Sequence, residues 1–234
     1  MRSVSINISV IGIGYVGLPL CLALSKKFQV NAYDVNNQRI NNLLQNKDNN
    51  NELTFKKNKN LNFTNNKEEL KKSNIYIITV PTPTNKKNEP DLKLIKNATK
   101  LVSKYLSIND IVIYESTVYP GLTEEYCVPL LQKYSKLKFK TEFNVGYSPE
   151  RINPGDSYRS IKNITKLISA SSSESLATLK MIYSTVTSKI HVCSSIKVAE
   201  SAKIIENTQR DINIAFVNEL SMIFNKIKIN INEV

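Results

Sequence analysis

The feature that most constrains the fold is a run of three closely spaced glycines, Gly12, Gly14 and Gly17, between a strand-like and a helix-like segment. The residues NISVI before it form an apolar run of strand length, and LPLCLALSKKF after it has the apolar spacing of a helix. In such a unit the first glycine makes a tight turn, the second admits a pyrophosphate, and the third lets helix and strand pack closely. A second strand, QVNAY, then leads into Asp34. The segment is predicted to be a βαβ unit that binds a dinucleotide.

Two residues after the glycine turn bear on the identity of that dinucleotide. Asp34 follows the second predicted strand, where a carboxylate can hold both hydroxyls of a ribose and repel a 2′-phosphate. NAD is therefore expected in preference to NADP. Arg39 has two interpretations that stay open: a solvent-facing helix residue, or a contact with the adenosine end of the cofactor.

The remaining chain alternates strands with helices, which favours a doubly wound, mostly parallel sheet of the Rossmann type. The Asn- and Lys-rich segment 46–62 is predicted to be a surface excursion with only a brief strand, at 61–64. The other predicted strands are NIYIITV, DIVIYES, FNVGYS, ITKLISAS and KIHVC, and the predicted helices cover residues 37–46, 91–105, 122–134 and 173–183.

A long helix is predicted at the carboxyl end. No Gly or Pro occurs from Lys197 to Ile229, and apolar residues recur there at helical spacing. A helix of this length exceeds the needs of one compact domain, so we expect it to lead into a missing domain or to pack on a partner subunit. The predicted division is a cofactor-binding domain over 1–196, and a connecting helix that starts a central dimerisation domain over 197–234.

Composition excludes several classes of function. The net charge is +12, but 27 of the 32 basic residues are Lys, scattered among 29 Asn, which indicates solvated surface rather than a nucleic-acid site. One His and three widely spaced Cys support neither a metal site nor a disulfide framework. With no signal-like segment and no apolar run of membrane-spanning length, a cytoplasmic protein without a membrane partner is expected.

Three loops that follow predicted strands are candidate ligand-binding segments: VPTPT at 80–84, ESTVYPG at 115–121 and GYSPERINPGD at 146–156. Open α/β sheets bind ligands at the carboxyl ends of their strands, although Pro, Gly and Ser also serve as plain turn formers. On the long helix, Lys203, Asn207 and Arg210 share one face. Spacing alone favours a solvated stripe with Glu200 and Glu206 as ion partners.

These motifs, in this order and spacing, resemble the nucleotide-sugar 6-dehydrogenases of the UDP-glucose/GDP-mannose dehydrogenase family. GIGYVGLPL, VPTPT, ESTVYPG, GYSPERINPGD and IKVAESAKIIENTQRDINIAFVNEL carry the resemblance, which runs nearly from end to end. SPERINPGD and ENTQRDINIA look most like the branch that acts on UDP-N-acetylhexosamines in the synthesis of surface polysaccharides. The resemblance implies oxidation of the sugar C6 alcohol to a carboxylate with two NAD+, through a thioester on a cysteine. Gluco and galacto substrates are not distinguished.

The resemblance also implies site residues. Thr117 and Glu150 match the pair that positions the hydrolytic water, and Lys203 and Asn207 match the pair that stabilises the developing oxyanion. The expected substrate-binding residues are Glu150, Arg151, Lys203, Asn207 and Arg210. The expected cofactor-binding residues are Gly12, Gly14, Tyr15, Val16, Gly17, Asp34, Arg39, Pro81, Thr82 and Thr117.

The family's nucleophilic cysteine lies beyond the long helix and is expected after Val234. Cys21, Cys127 and Cys193 do not match it and are expected to be inert buried thiols. The 234 residues are therefore expected to bind NAD without turnover and to pair through the long helix. Two alternatives stay open: a stand-alone NAD-binding module, and a 3-hydroxyacid type of dehydrogenase, which the lack of a matching catalytic His disfavours.

Overall fold

The computed structural model describes residues 5–48, 54–150 and 165–234. Eight strands lie within these ranges: β1 (Asn7–Ile11), β2 (Gln29–Tyr33), β3 (Leu61–Thr64), β4 (Ile75–Ile78), β5 (Asp110–Tyr114), β6 (Phe143–Tyr147), β7 (Lys166–Ala170) and β8 (Ile190–Val192). They form one sheet in the order β3-β2-β1-β4-β5-β6-β7-β8. All neighbours are parallel except β6 and β7, which are antiparallel. The prediction of a mostly parallel sheet is confirmed.

Six α-helices connect and cover the strands in the described part of the chain. They are α1 (Gly17–Leu24), α2 (Asn37–Leu44), α3 (Lys93–Ser103), α4 (Val128–Ser135), α5 (Ser173–Tyr183) and α6 (Ile196–Lys226). Short polar side chains begin α2 and α6: Asn36 accepts from the Arg39 N–H at 3.1 Å, and Ser195 from the Val198 N–H at 3.2 Å. Two short 3₁₀ segments, Lys67–Lys72 and Ile231–Glu233, had not been predicted.

The sheet is buried on both faces. Along β4, Ile75 and Ile77 belong to one apolar cluster, whereas Tyr76 and Ile78 belong to the other. Helices α1, α2 and α5 pack on the first cluster, and α3, α4 and the first turns of α6 pack on the second. Helices on both faces of a largely parallel sheet make the fold doubly wound, as the alternation of strands and helices predicted.

The helix predicted over 122–134 is divided in two. Thr123–Cys127 form a single π turn, and α4 follows it. Pro129 lies in the first turn of α4. Its ring has no N–H to donate and would crowd the carbonyl of Glu125 in a regular α-helix. The wider π turn relieves that conflict.

The Asn- and Lys-rich segment is tied to the domain more firmly than a surface excursion would be. Asp48 is buried, and Phe55 packs against the first apolar cluster, edge-on to Phe63 with 6.0 Å between ring centroids. The predicted surface excursion is therefore anchored to the core on both sides of residues 49–53, which lie outside the described residues. The single aromatic residue in the polar run was the available signal.

Helix α6 has 31 residues, close to the predicted bounds, and is about 46 Å long. One face of its first two turns is buried, at Ile196, Ala199 and Lys203. Beyond them the large apolar side chains are exposed: Ile205, Ile212, Ile214, Phe216, Val217, Met222, Ile223 and Ile227. Across the described ranges, no helix has the length and apolar character needed to cross a membrane.

Candidate active site

The glycine turn has the geometry that its sequence predicts. Gly12 has a φ of +98°, and a Cβ on Gly17 would lie 2.1 Å from the Gly12 carbonyl oxygen, so helix and turn are in direct backbone contact. A Cβ on Gly14 would meet no atom within 4 Å. Helix α1 begins at Gly17, and Val16 supplies no side chain to cap its N–H groups. The turn therefore leaves open space beside uncapped donors, which suits a pyrophosphate.

Asp34 lies directly beside this turn. One carboxylate oxygen accepts from the Ile13 N–H at 2.8 Å, and the other accepts from the Asn36 N–H at 2.9 Å. These bonds fix the carboxylate, and each oxygen can still accept a second hydrogen bond. The position and the remaining acceptor capacity fit the two hydroxyls of a ribose.

Arg39 is buried, with 8% of its surface exposed, so its interpretation as a solvent-facing residue is wrong. Its Nε donates to the Ile13 carbonyl at 2.8 Å and its Nη1 to the Asp48 carboxylate at 2.6 Å. Its Nη2 is buried without a hydrogen-bond partner among the described residues. An unsatisfied buried donor beside the glycine turn is consistent with a polar ligand there.

A cleft of about 640 Å³ opens beside Asp34. Apolar side chains make most of its wall: Val35, Val80, Pro81, Leu94, Ala98 and Leu101. Lys67, Lys100 and Lys104 also line it. An apolar slot next to a carboxylate that fits a ribose is suited to an adenine ring. The contribution of α3 had not been predicted, although Leu94, Ala98 and Leu101 have the i, i+4, i+7 spacing of one helix face.

The loops after β4 and β5 are joined to each other. The Ser116 hydroxyl donates to the Val80 carbonyl at 2.6 Å, and the Thr82 hydroxyl donates to the Thr117 carbonyl. From β6, the Tyr147 hydroxyl donates to the Ser116 carbonyl at 3.2 Å. These bonds hold the half-buried Thr117 beside the segment that carries Pro81 and Thr82.

A buried ionic cluster lies at the same edge of the sheet. The Lys166 ammonium is 2.6 Å from a Glu115 oxygen and 3.3 Å from a Glu150 oxygen, and the Tyr183 hydroxyl donates to Glu115 at 2.5 Å. Desolvation opposes the charge on Lys166, but the two carboxylates outweigh it and raise the pKa of the ammonium. Lys166 and Tyr183 had not been predicted. The position of Lys166 in this cluster depends on the direction of β7, which residues 164–170 do not indicate.

Helix α6 presents its three predicted residues differently from a solvated stripe. Lys203 is buried, with 8% of its surface exposed, and Asn207 and Arg210 are half-buried. The stripe interpretation is therefore wrong for Lys203. It holds at Arg210, whose Nη2 is 3.8 Å from the Glu206 carboxylate.

Glu200 also differs from the solvated ion partner that its helical spacing suggested. Its side chain is fully buried, and its two oxygens accept from the backbone N–H groups of Gly121 at 2.5 Å and Thr123 at 2.9 Å. It is therefore an anchor between α6 and the loop after β5, rather than an ion partner on a wet surface. This contact brings the turn of α6 that carries Lys203 next to the loop that carries Thr117.

The three cysteines are buried free thiols, as expected. Burial raises the pKa of all three, that of Cys127 to about 12. A thiol held neutral at physiological pH is a poor nucleophile, so none of them is suited to covalent catalysis. Arg151, predicted to contact substrate, lies outside the described residues. In the described ranges, no group of three or more His, Cys, Asp or Glu side chains could hold a metal ion.

Comparison with known proteins gives two matches to one family. Residues 6–187 match the NAD binding domain of the UDP-glucose/GDP-mannose dehydrogenase family, and residues 197–234 match its central domain. Protein CapL of Staphylococcus aureus is 52% identical over 97% of this chain and 54% of the relative. A UDP-N-acetyl-D-glucosamine 6-dehydrogenase of Pseudomonas aeruginosa is 48% identical over 96% of this chain and 54% of the relative.

The fold has solved counterparts. A UDP-D-ManNAc dehydrogenase from Pyrococcus horikoshii superposes with a TM-score of 0.86 at 28% identity, over 97% of this chain and 56% of that one. This chain thus spans about half the length of the curated relatives it matches. The NAD binding domain match covers the glycine turn, Asp34 and the adjoining cleft. The chain belongs to the UDP-glucose/GDP-mannose dehydrogenase family, whose NAD-binding domain it contains.

Proposed function

We propose that this chain is the NAD-binding portion of an enzyme that oxidises the C6 alcohol of a UDP-N-acetylhexosamine to the uronic acid, a precursor of surface polysaccharides. The observation that carries the proposal is the buried position of Lys203, on a helix that Glu200 anchors to the loop of Thr117. A buried ammonium close to the loop that carries Thr117 is suited to stabilising an alkoxide. The printed name of the Pseudomonas aeruginosa relative supports a UDP-N-acetylhexosamine substrate.

The chain's own residues divide the work. The glycine turn holds the pyrophosphate, and Asp34 holds the ribose. Arg39 supports the turn through its bond to the Ile13 carbonyl, and its Nη2 group is left to donate to the ligand. Bound NAD+ supplies the hydride acceptor. Lys203 and Asn207 stabilise negative charge that develops on the C6 oxygen. Thr117 and Glu150 position and deprotonate the water that hydrolyses the thioester to the carboxylate after both hydride transfers. Arg151 and Arg210 add contacts to the substrate.

The test uses the complete gene product with NAD+ and either UDP-N-acetylglucosamine or UDP-N-acetylgalactosamine. We expect two NADH per sugar and a uronic acid by mass spectrometry. Lys203→Ala should lower kcat by about 10²-fold or more. Lys197→Ala is the matched control, because Lys197 is exposed on the same helix and its ion-pair partner in the described part of the chain is the exposed Glu125. Equal rates for the two variants would remove Lys203 from the active site.

We also propose the division into a cofactor-binding domain over 1–196 and the start of a central dimerisation domain over 197–234. The exposed apolar residues of α6, from Ile205 to Ile227, support pairing of two chains along this helix. Sedimentation should show self-association, which Phe216→Glu should abolish.

The three free thiols support a reducing compartment, the cytoplasm.

A second candidate is a stand-alone NAD-binding module. The burial of Cys21, Cys127 and Cys193 favours it, because the 234 residues then contain no accessible thiol for covalent catalysis. NAD binding without uronic acid formation by the complete gene product would support the module and refute the enzyme.

A further inference from the structure

Lys166 reaches the catalytic edge of the sheet because β7 runs antiparallel to β6. Tyr147, the last residue of β6, lies opposite Ser169 on β7. Continuing this register beyond β6 places Glu150 opposite Lys166, the first residue of β7. A parallel strand would present its first residue at the other edge of the sheet. The reversal therefore brings an ammonium to the edge where the parallel strands deliver their loops.

Two buried side chains, Glu115 and Tyr183, hold the Lys166 ammonium in place. Its nitrogen is 2.6 Å from Glu115, which in turn accepts a hydrogen bond from the Tyr183 hydroxyl at 2.5 Å. The same nitrogen lies 5.3 Å from the centre of the Tyr183 ring, within the range of a cation–π contact. Glu115 and Tyr183 have exposures of 1% and 0%. We call these three side chains, Glu115, Lys166 and Tyr183, the anchor group.

Glu150 contacts the anchor group through Lys166. Its Oε2 is 3.3 Å from the Lys166 nitrogen, a longer distance than the one between Lys166 and Glu115. Its own exposure is 9%, so little water reaches its carboxylate. A fixed cation limits the orientations of the carboxylate, because the ammonium donates to one particular oxygen.

We propose that Lys166 is a positioning residue for Glu150: the anchor group holds the Glu150 carboxylate in one orientation for its role in the reaction. This inference rests on the proposed function. It assigns to Glu115 and Tyr183 the role of holding Lys166, with no contact of their own to the reacting atoms. A positioning error of about 1 Å at a catalytic group can cost about 10²-fold in rate, so this role has a measurable consequence.

The test compares variants of the complete gene product. Lys166→Met removes the ammonium but leaves two buried carboxylates close together. The double variant Lys166→Met/Glu115→Gln removes the same ammonium and keeps the cluster's net charge at its original value, which protects the fold. Lys180→Met is the control, because Lys180 is an exposed lysine on α5. For each protein, kcat, the KM for NAD+ and the melting temperature are measured.

We expect the double variant to lose kcat by about 10- to 100-fold, with the KM for NAD+ and the melting temperature close to those of the wild type and of Lys180→Met. A folded double variant with wild-type kcat would overturn the inference. A loss of NAD+ binding that matches the loss of kcat would mark a purely structural role and would overturn it too. A wild-type protein that oxidises no nucleotide sugar defeats the proposed function, and this inference with it.

Discussion

Replacement by alanine should affect stability at Gly17 and cofactor binding at Gly14. A Cβ on Gly17 would lie 2.1 Å from the Gly12 carbonyl oxygen and 2.8 Å from the Thr79 hydroxyl, so backbone must move. Overpacking of this kind costs about 1–3 kcal/mol. For a chain of this size that lowers the melting temperature by about 2–12 °C. Gly17→Ala is therefore expected to destabilise the fold.

Gly14→Ala is the matched variant, because a Cβ there meets no atom within 4 Å. Its stability should stay within about 0.5 kcal/mol of the wild type. The added methyl group occupies the space left for the pyrophosphate, so NAD+ affinity should fall by at least about tenfold, or about 1.4 kcal/mol. Calorimetric titration with NAD+ and thermal melting of the 234-residue chain separate the two effects. Wild-type affinity in Gly14→Ala would refute the placement of the pyrophosphate.

Three further predictions concern single side chains. Asp34→Ala should weaken NAD+ binding and relax discrimination against NADP+, and parallel titrations with both cofactors check this. Glu200→Ala leaves the N–H groups of Gly121 and Thr123 without their acceptor, so we expect a loss of about 1–3 kcal/mol in denaturant unfolding, and an unchanged midpoint would contradict it. Burial raises the pKa of Asp110 to about 6, so the folded state binds a proton that the unfolded state releases, and stability should fall as the pH rises from about 4 to 6. Asp110→Asn should flatten that dependence in melting curves recorded across this range.

The strands and the cofactor turn were predictable because their signals are local. The short strand at 61–64 and the turn at Gly12 each follow from apolar runs and glycine spacing within a few residues. Asp34 was predictable for the same reason, since it directly follows a clear strand. The helical spacing of Leu94, Ala98 and Leu101 predicts that they share one face of α3. Nothing local in the sequence indicates that this face lines the cleft beside Asp34.

The missed features depend on tertiary contacts. Glu200 looks like any polar helix residue until the loop after β5 is placed against α6. Lys166 joins the site only because its strand is reversed, and the five residues of β7, KLISA, carry no mark of strand direction. Arg39 was ambiguous because a charged residue on a short polar helix is usually solvated. Its buried partner Asp48 lies in a polar run that itself suggested solvent.

Because α6 is anchored at Glu200, the displacement of a residue when the helix tilts depends on its distance from this anchor. Lys203 is three residues from the anchor, about 4.5 Å along the axis, whereas Lys226 is about 39 Å away. If the helix tilts as a rigid rod about Glu200, a shift of about 4 Å at its far end moves Lys203 by only about 0.5 Å. Whatever packs on the exposed length of α6 can therefore shift while the buried ammonium keeps its place.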